Sequence, residues 1–161
     1  MGSYNTSELI RVQNFRQAKV LIINNDPNQL ALIEYCLKEC LPEVEPVTAL
    51  NEIAVQTYLS ACSQDEHKLP KLILLDIFMP NREDGWHILD GIKAFPSPVN
   101  QIPVVIFSQS NQPADIGEAY DRGSSSYLVK PANESEWLTC FQRMRKYWWE
   151  TVSLPPIGYR Y

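Results

Sequence analysis

A chain of 161 residues with 45% hydrophobic and 20% charged side chains is sized for one domain with its own core, and its composition excludes a disordered or coiled-coil protein. The formal charge of −5 argues against general binding to a nucleic-acid backbone, which needs a basic face. No run approaches the roughly 18 apolar residues of a membrane span, so neither nucleic acid nor membrane is expected as a partner and cytoplasm is the default compartment.

Residues 1–18, which include "MGSYNTSELIRVQNFRQ", have no apolar signal core and read as a polar N-terminal arm. The main domain is expected over 19–150, with a C-terminal tail at 151–161. A first strand lies near 19–24. The helix after it starts at Pro27 behind Asp26 as N-cap, with Leu30, Ile33, Leu37 and Leu41 on its inward face. A second strand near 44–48, "VEPVT", contains Pro46, which cannot donate to a central ladder and so belongs at a sheet edge. Helix 50–61 follows, then "KLILLD", a continuous apolar run suited to a strand covered on both faces.

Next come a helix over 85–95 beginning after Gly85, a strand at 102–107 ending at Ser108, a helix near 113–122 and a strand near 125–129. The last helix, 133–149, carries Trp137, Phe141, Met144 and Trp148 on one stripe. Tyr147 and Trp149 fall off that stripe and, with Tyr159 and Tyr161, read as an exposed aromatic surface for docking or self-association. Cys36, Cys40, Cys62 and Cys140 form no C-x-x-C pair, and His67 and His87 have no partners at metal-ligand spacing, so these residues read as ordinary packing.

Strands alternating with helices imply an α/β fold: a flavodoxin-like (βα)5 doubly wound parallel sheet of strand order 2-1-3-4-5, which puts the Pro46 strand at an edge. Ligands of such sheets bind beyond the carboxyl ends of the strands. The polar residues there are Asn24 and Asn25, Asp76, Ser108 and Lys130. One carboxylate, one lysine and one hydroxyl suit a small anion or a phosphoryl group. A cis turn at Lys130-Pro131 is expected to aim the lysine inward.

The segments "LILLDIFMP", "PVVIFSQS" and "SYLVKP", in that order at three strand ends, resemble the receiver domain of two-component response regulators, the CheY-like family. The resemblance runs from about Lys19 to Trp149. It is nearest to the small receivers paired with phytochromes, which also end in an aromatic tail like "YWWETVSLP". It implies that Asp76 is the phosphoacceptor, Lys130 its charge partner, Ser108 the oxygen-binding switch and Tyr127 the switch aromatic. It also implies a sensor histidine kinase as partner, with a phytochrome-type kinase as one candidate, and a homodimer through the last two helices and fifth strand. With no residues left for an output domain, the chain is expected to work as a single-domain switch in a phosphorelay rather than as an enzyme.

The family binds Mg2+ through the acceptor, a backbone carbonyl two residues beyond it (Phe78 here) and an acidic pair ending the first strand. Here that pair is Asn24 and Asn25. An amide oxygen can ligate Mg2+ but carries no charge, and each unit charge at ~4 Å is worth roughly 4 kcal/mol at an effective dielectric of ~20. A weakened Mg2+ site built on Asp76, Asn25 and the Phe78 carbonyl is therefore expected. Asp26 is a substitute ligand if it is not the N-cap. With fewer like charges nearby, Asp76 can instead pair directly with Lys130. Gln109 after Ser108 and Phe78 two beyond Asp76 are departures that imply slow access and slow hydrolysis, and the "NRED" segment before Gly85 is one residue longer than the usual family loop, a difference in local geometry. Two readings follow: a slow phosphoacceptor, or a pseudo-receiver that binds partners independently of phosphorylation.

Overall fold

The computed structural model describes residues 2, 3 and 5–156. Five strands form one parallel sheet in the order β2-β1-β3-β4-β5: β1 (Lys19–Ile23), β2 (Glu45–Ala49), β3 (Leu72–Leu75), β4 (Val104–Ser108) and β5 (Ser126–Val129). The helices are α1 (Thr6–Phe15), α2 (Pro27–Cys40), α3 (Glu52–Gln64), α4 (Arg82–Ala94), α5 (Pro113–Asp121) and α6 (Glu134–Met144). This is the flavodoxin-like arrangement the alternation implied. Pro46 sits on β2, at the sheet edge, opposite Val20 of β1.

Two-residue strand periodicity divides the core into two layers. Leu21, Ile23, Ile73, Leu75, Val104 and Ile106 pack with α3 and α4 on one face. Val20, Ile22, Leu72, Leu74, Val105 and Phe107 pack with α2 and α6 on the other. Both faces are covered, which is why the central strands read as unbroken apolar runs.

The helix starts follow local chemistry. Asp26 caps α2 by accepting from the Asn28 N–H (2.9 Å), and Pro27 occupies the first turn. Asn51 caps α3 through the Ala54 N–H (2.8 Å). α4 begins three residues earlier than expected, because Asn81 and Asp84 form a capping box around its first turn. Gly85 therefore lies inside the helix, where a Cβ would overlap the Ile77 carbonyl; the glycine serves close packing, not a helix start.

Three expectations need correction. The polar arm contains a helix: Asn5 and Glu8 form a capping box at the start of α1. That helix is fastened to the C-terminal segment by the buried Asn14, whose amide donates to the carbonyls of Trp149 (2.9 Å) and Val152 (2.6 Å) and accepts from the Leu154 N–H (3.0 Å). Trp149 is fully buried rather than exposed. After Met144 the backbone widens into a π-helical turn over Arg145–Trp149, so Trp149, five residues beyond Met144, rejoins the core stripe. Tyr147 is exposed, and Tyr159 and Tyr161 lie outside the described residues. Finally, the cis peptide bonds among the described residues are Met79–Pro80 and Ser97–Pro98, not Lys130–Pro131. Lys130 turns inward without one: its N–H donates to the Ser108 carbonyl (2.7 Å), so pairing with β4 runs one residue beyond β5.

Candidate functional site

β1 and β3 deliver the centre of the site. The Asn24 N–H donates to the Ala49 carbonyl (3.2 Å) and the Asp76 N–H to the Ile23 carbonyl (3.0 Å), so both residues extend the sheet ladder. Both side chains are buried. Asp76 Oδ1 accepts from the Phe78 N–H (3.1 Å), and Oδ2 accepts from Lys130 Nζ (2.7 Å) and, at a long 3.4 Å, from Asn24 Nδ2. The Lys130 ammonium lies 5.7 Å from the centre of the Phe107 ring on β4. The two side chains of the ion pair are only 5% and 9% exposed.

Gln29, in the first turn of α2, completes this group. Its Oε1 accepts from Lys130 Nζ and from Asn24 Nδ2 (3.1 Å). One neutral acceptor thus holds both side-chain donors that face Asp76. The cluster carries one negative and one positive charge joined by four side-chain hydrogen bonds, which is how a buried pair offsets its desolvation cost.

The donor set fits a divalent cation poorly. Mg2+ takes six oxygens and usually one or two carboxylates, whereas Asp76 is the one carboxylate in this cluster and Lys130 occupies its Oδ2. Asn24 Oδ1 is already engaged by the Asp26 N–H (2.8 Å), Asn25 is exposed, and the Asp26 carboxylate caps α2. Among the described residues no group of three His, Cys, Asp or Glu side chains is placed to hold a metal ion.

On the other side of Asp76, β4 ends in the fully buried Ser108, whose Oγ accepts from the Ser110 N–H (3.1 Å). The Tyr127 ring packs against the α3/α4 layer, and its hydroxyl donates to the Ser110 carbonyl (2.7 Å). Ser110 Oγ donates in turn to Asp115 Oδ2 and accepts from the Gln112 N–H (3.3 Å). Asp115 is buried and is gripped by Arg82 through Nε (2.6 Å) and Nη2 (3.1 Å). The Arg82 guanidinium also lies 5.5 Å over the Phe78 ring.

Asn24, Asp76 and Lys130 are therefore brought together; Ser108 joins them through its carbonyl, which accepts from the Lys130 N–H, and Tyr127 stands one residue removed from Ser108 through Ser110. Asn25 and Asp26 stand aside. Sequence reasoning did not single out Gln29, Ser110, Asp115 or Arg82. The first follows the N-cap by three residues, a place where a solvated glutamine reads the same; Ser110 lies on a loop above the sheet, and Arg82 and Asp115 lie in the first turns of α4 and α5, where no periodicity marks them.

A parallel sheet of this order, with a carboxylate, a lysine and a hydroxyl at the ends of β3, β5 and β4, defines a receiver-type α/β domain. Residues 20–142 match the response regulator receiver domain model, and the chain belongs to that family, the receivers of two-component signalling. The response regulator Rcp1 of Synechocystis sp. is 28% identical over 137 residues, spanning 84% of this chain and 92% of Rcp1. Among solved structures, the phosphorylated cyanobacterial phytochrome response regulator RcpA superposes with a TM-score of 0.74 at 30% identity, covering 86% of this chain and 98% of that one. The Mn2+-bound form of Rcp1 gives a TM-score of 0.73 at 28% identity, with coverage of 86% and 99%.

Proposed function

We propose that this receiver accepts a phosphoryl group on Asp76 from a sensor histidine kinase, slowly and with little use of a divalent cation. In the transfer, an Asp76 carboxylate oxygen bonds to phosphorus while the phosphorus–nitrogen bond to the donor imidazole breaks, the electron pair remaining on that nitrogen. Lys130 offsets the charge that accumulates between carboxylate and phosphoryl oxygens. The Ser108 hydroxyl donates to a phosphoryl oxygen, and Tyr127 reports the change. The chain acts as substrate and switch rather than as an enzyme. The observation that carries this reading is the Lys130–Asp76 pair, 2.7 Å apart at the carboxyl ends of β5 and β3. RcpA, described as a phytochrome response regulator and crystallised phosphorylated, supports it and makes a phytochrome-type kinase the partner to try first.

A second reading has its own observation. Lys130, Asp76, Asn24 and Gln29 already satisfy one another, which suits a pseudo-receiver held in one state without phosphate. Intact-mass measurement after incubation with acetyl phosphate separates the two. Slow labelling that disappears in Asp76→Asn supports the acceptor; no labelling of a folded protein by acetyl phosphate or by a phosphorylated kinase supports the phosphate-independent module.

The face formed by α5, β5 and α6 is proposed as the contact for a second copy. A groove of about 880 Å³ there is lined by Tyr120, Val129, Tyr147 and Trp148, with Glu136 and Arg143 both at its wall. Acid and base in one groove can pair across a two-fold axis. A monomer in sedimentation at tens of micromolar would overturn this contact.

A further inference from the structure

The ion pair between Arg82 and Asp115 belongs to no role described so far, yet its placement is specific. Arg82 is the first residue of α4 and Asp115 lies in the first turn of α5, so the pair ties together the loops above β3 and β4. It is a two-pronged contact, Nε to Oδ1 at 2.6 Å and Nη2 to Oδ2 at 3.1 Å, on a carboxylate that is 5% exposed. A buried carboxylate needs such a partner, and the guanidinium fork fixes orientation as well as charge. The same carboxylate takes the Ser110 hydroxyl.

Ser110 is where the network acquires a consequence. Each of its polar atoms is committed: the N–H to Ser108 Oγ, the carbonyl to the Tyr127 hydroxyl, the hydroxyl to Asp115. Ser108 and Tyr127 are thus not in direct contact through their polar atoms; both are held by one residue, and that residue is anchored to the ion pair. Moving Tyr127 outward, or pulling Ser108 Oγ toward a group on Asp76, displaces the Ser110 backbone against this anchor.

We infer that Arg82 and Asp115 are positioning residues: their ion pair is the restraint that holds Ser110, and through it Ser108 Oγ and the Tyr127 ring, in the inward arrangement. The inference takes its meaning from the reading of Ser108 and Tyr127 as the switch pair. Its test uses unphosphorylated protein, so its failure is distinct from failure of phosphoryl acceptance.

The test is native-state hydrogen exchange of the Ser110 and Gln112 amides together with the Tyr127 ring resonances, the latter assigned by comparison with Tyr127→Phe. Arg82 is half-exposed, so Arg82→Gln opens no cavity in the core, and its amide can still donate to Asp115; Arg82→Lys keeps the charge without the fork. Arg82→Gln is expected to speed exchange at Ser110 and Gln112 by about tenfold or more and to move the Tyr127 ring toward a solvent-exposed environment. Amides of β1 and β3 should keep their protection, and Arg82→Lys should fall between. Unchanged Ser110, Gln112 and Tyr127 signals in Arg82→Gln would overturn the inference. So would a uniform loss of protection across the whole sheet, which would make the pair a contributor to global stability only.

Discussion

The Lys130 ammonium lies 2.7 Å from Asp76 Oδ2, and both side chains are almost fully withdrawn from water. Single substitution therefore strands a charge. Lys130→Met is expected to destabilise the domain by about 3 kcal/mol, because removing one partner of a buried pair leaves the other uncompensated. Lys130→Met combined with Asp76→Leu should recover most of that loss. Urea unfolding of the two variants and the double variant measures the coupling; additive losses would mean that the pair is not energetically coupled.

Gln29 should govern how freely Lys130 moves. In Gln29→Ala the lysine and Asn24 lose their common acceptor, so the Lys130 ammonium resonance should broaden and acetyl phosphate labelling of Asp76 should change by several-fold. A rate and a resonance identical to those of the parent would remove Gln29 from the site.

Asn14 makes three hydrogen bonds to the C-terminal segment from a buried position. Its replacement by Ala leaves the Leu154 N–H and two carbonyls without that partner, a cost of about 2 kcal/mol. The Leu154 amide should lose its exchange protection before any amide of β3 does. Retained protection at Leu154 would show that the segment is held by Trp149 and Leu154 packing alone.

Lys71 supplies a pH-dependent term. Its side chain is buried beneath α1, donating to the Gln13 carbonyl (3.3 Å), and burial first, then nearby Arg16, pushes its pKa down. A lysine with a lowered folded pKa binds fewer protons in the folded than in the unfolded chain between the two values. Stability therefore rises with pH through that window, up to the unfolded value near ~10.4. Lys71→Met should be as stable as the parent or more so at neutral pH, and its advantage should shrink as pH climbs toward that value. An advantage independent of pH would contradict the lowered pKa of Lys71 in the fold.

The sheet was legible because its strands are short apolar runs with polar ends, and Pro46 marked the edge. Asp76, Ser108 and Lys130 were legible for the same reason: a polar residue ending a buried strand stands out from the run before it. Residues that act from helices and loops did not stand out. Gln29 reaches the site from the first turn of α2, where an exposed glutamine has the same sequence context. Arg82 and Asp115 meet across 33 positions with no periodic signal. Trp149 was misplaced because a π-helical turn shifts the stripe by one residue, and helical periodicity assumes 3.6 residues per turn throughout. The helix in the arm had a readable cap, Asn5 with Glu8 three residues on, but its low apolar content hid it.

We propose that the neutral amides at positions 24 and 25 leave Asp76 balanced by Lys130 rather than by a divalent cation. The most direct test of this central claim is a Mn2+ titration read by the electron paramagnetic resonance of the free ion, comparing the parent chain with Asn24→Asp/Asn25→Asp. Carboxylates at positions 24 and 25, the first of them against Asp76, should tighten binding by about tenfold or more, with the parent leaving Mn2+ free where the variant takes it up. Equal affinity in the two proteins would contradict the claim.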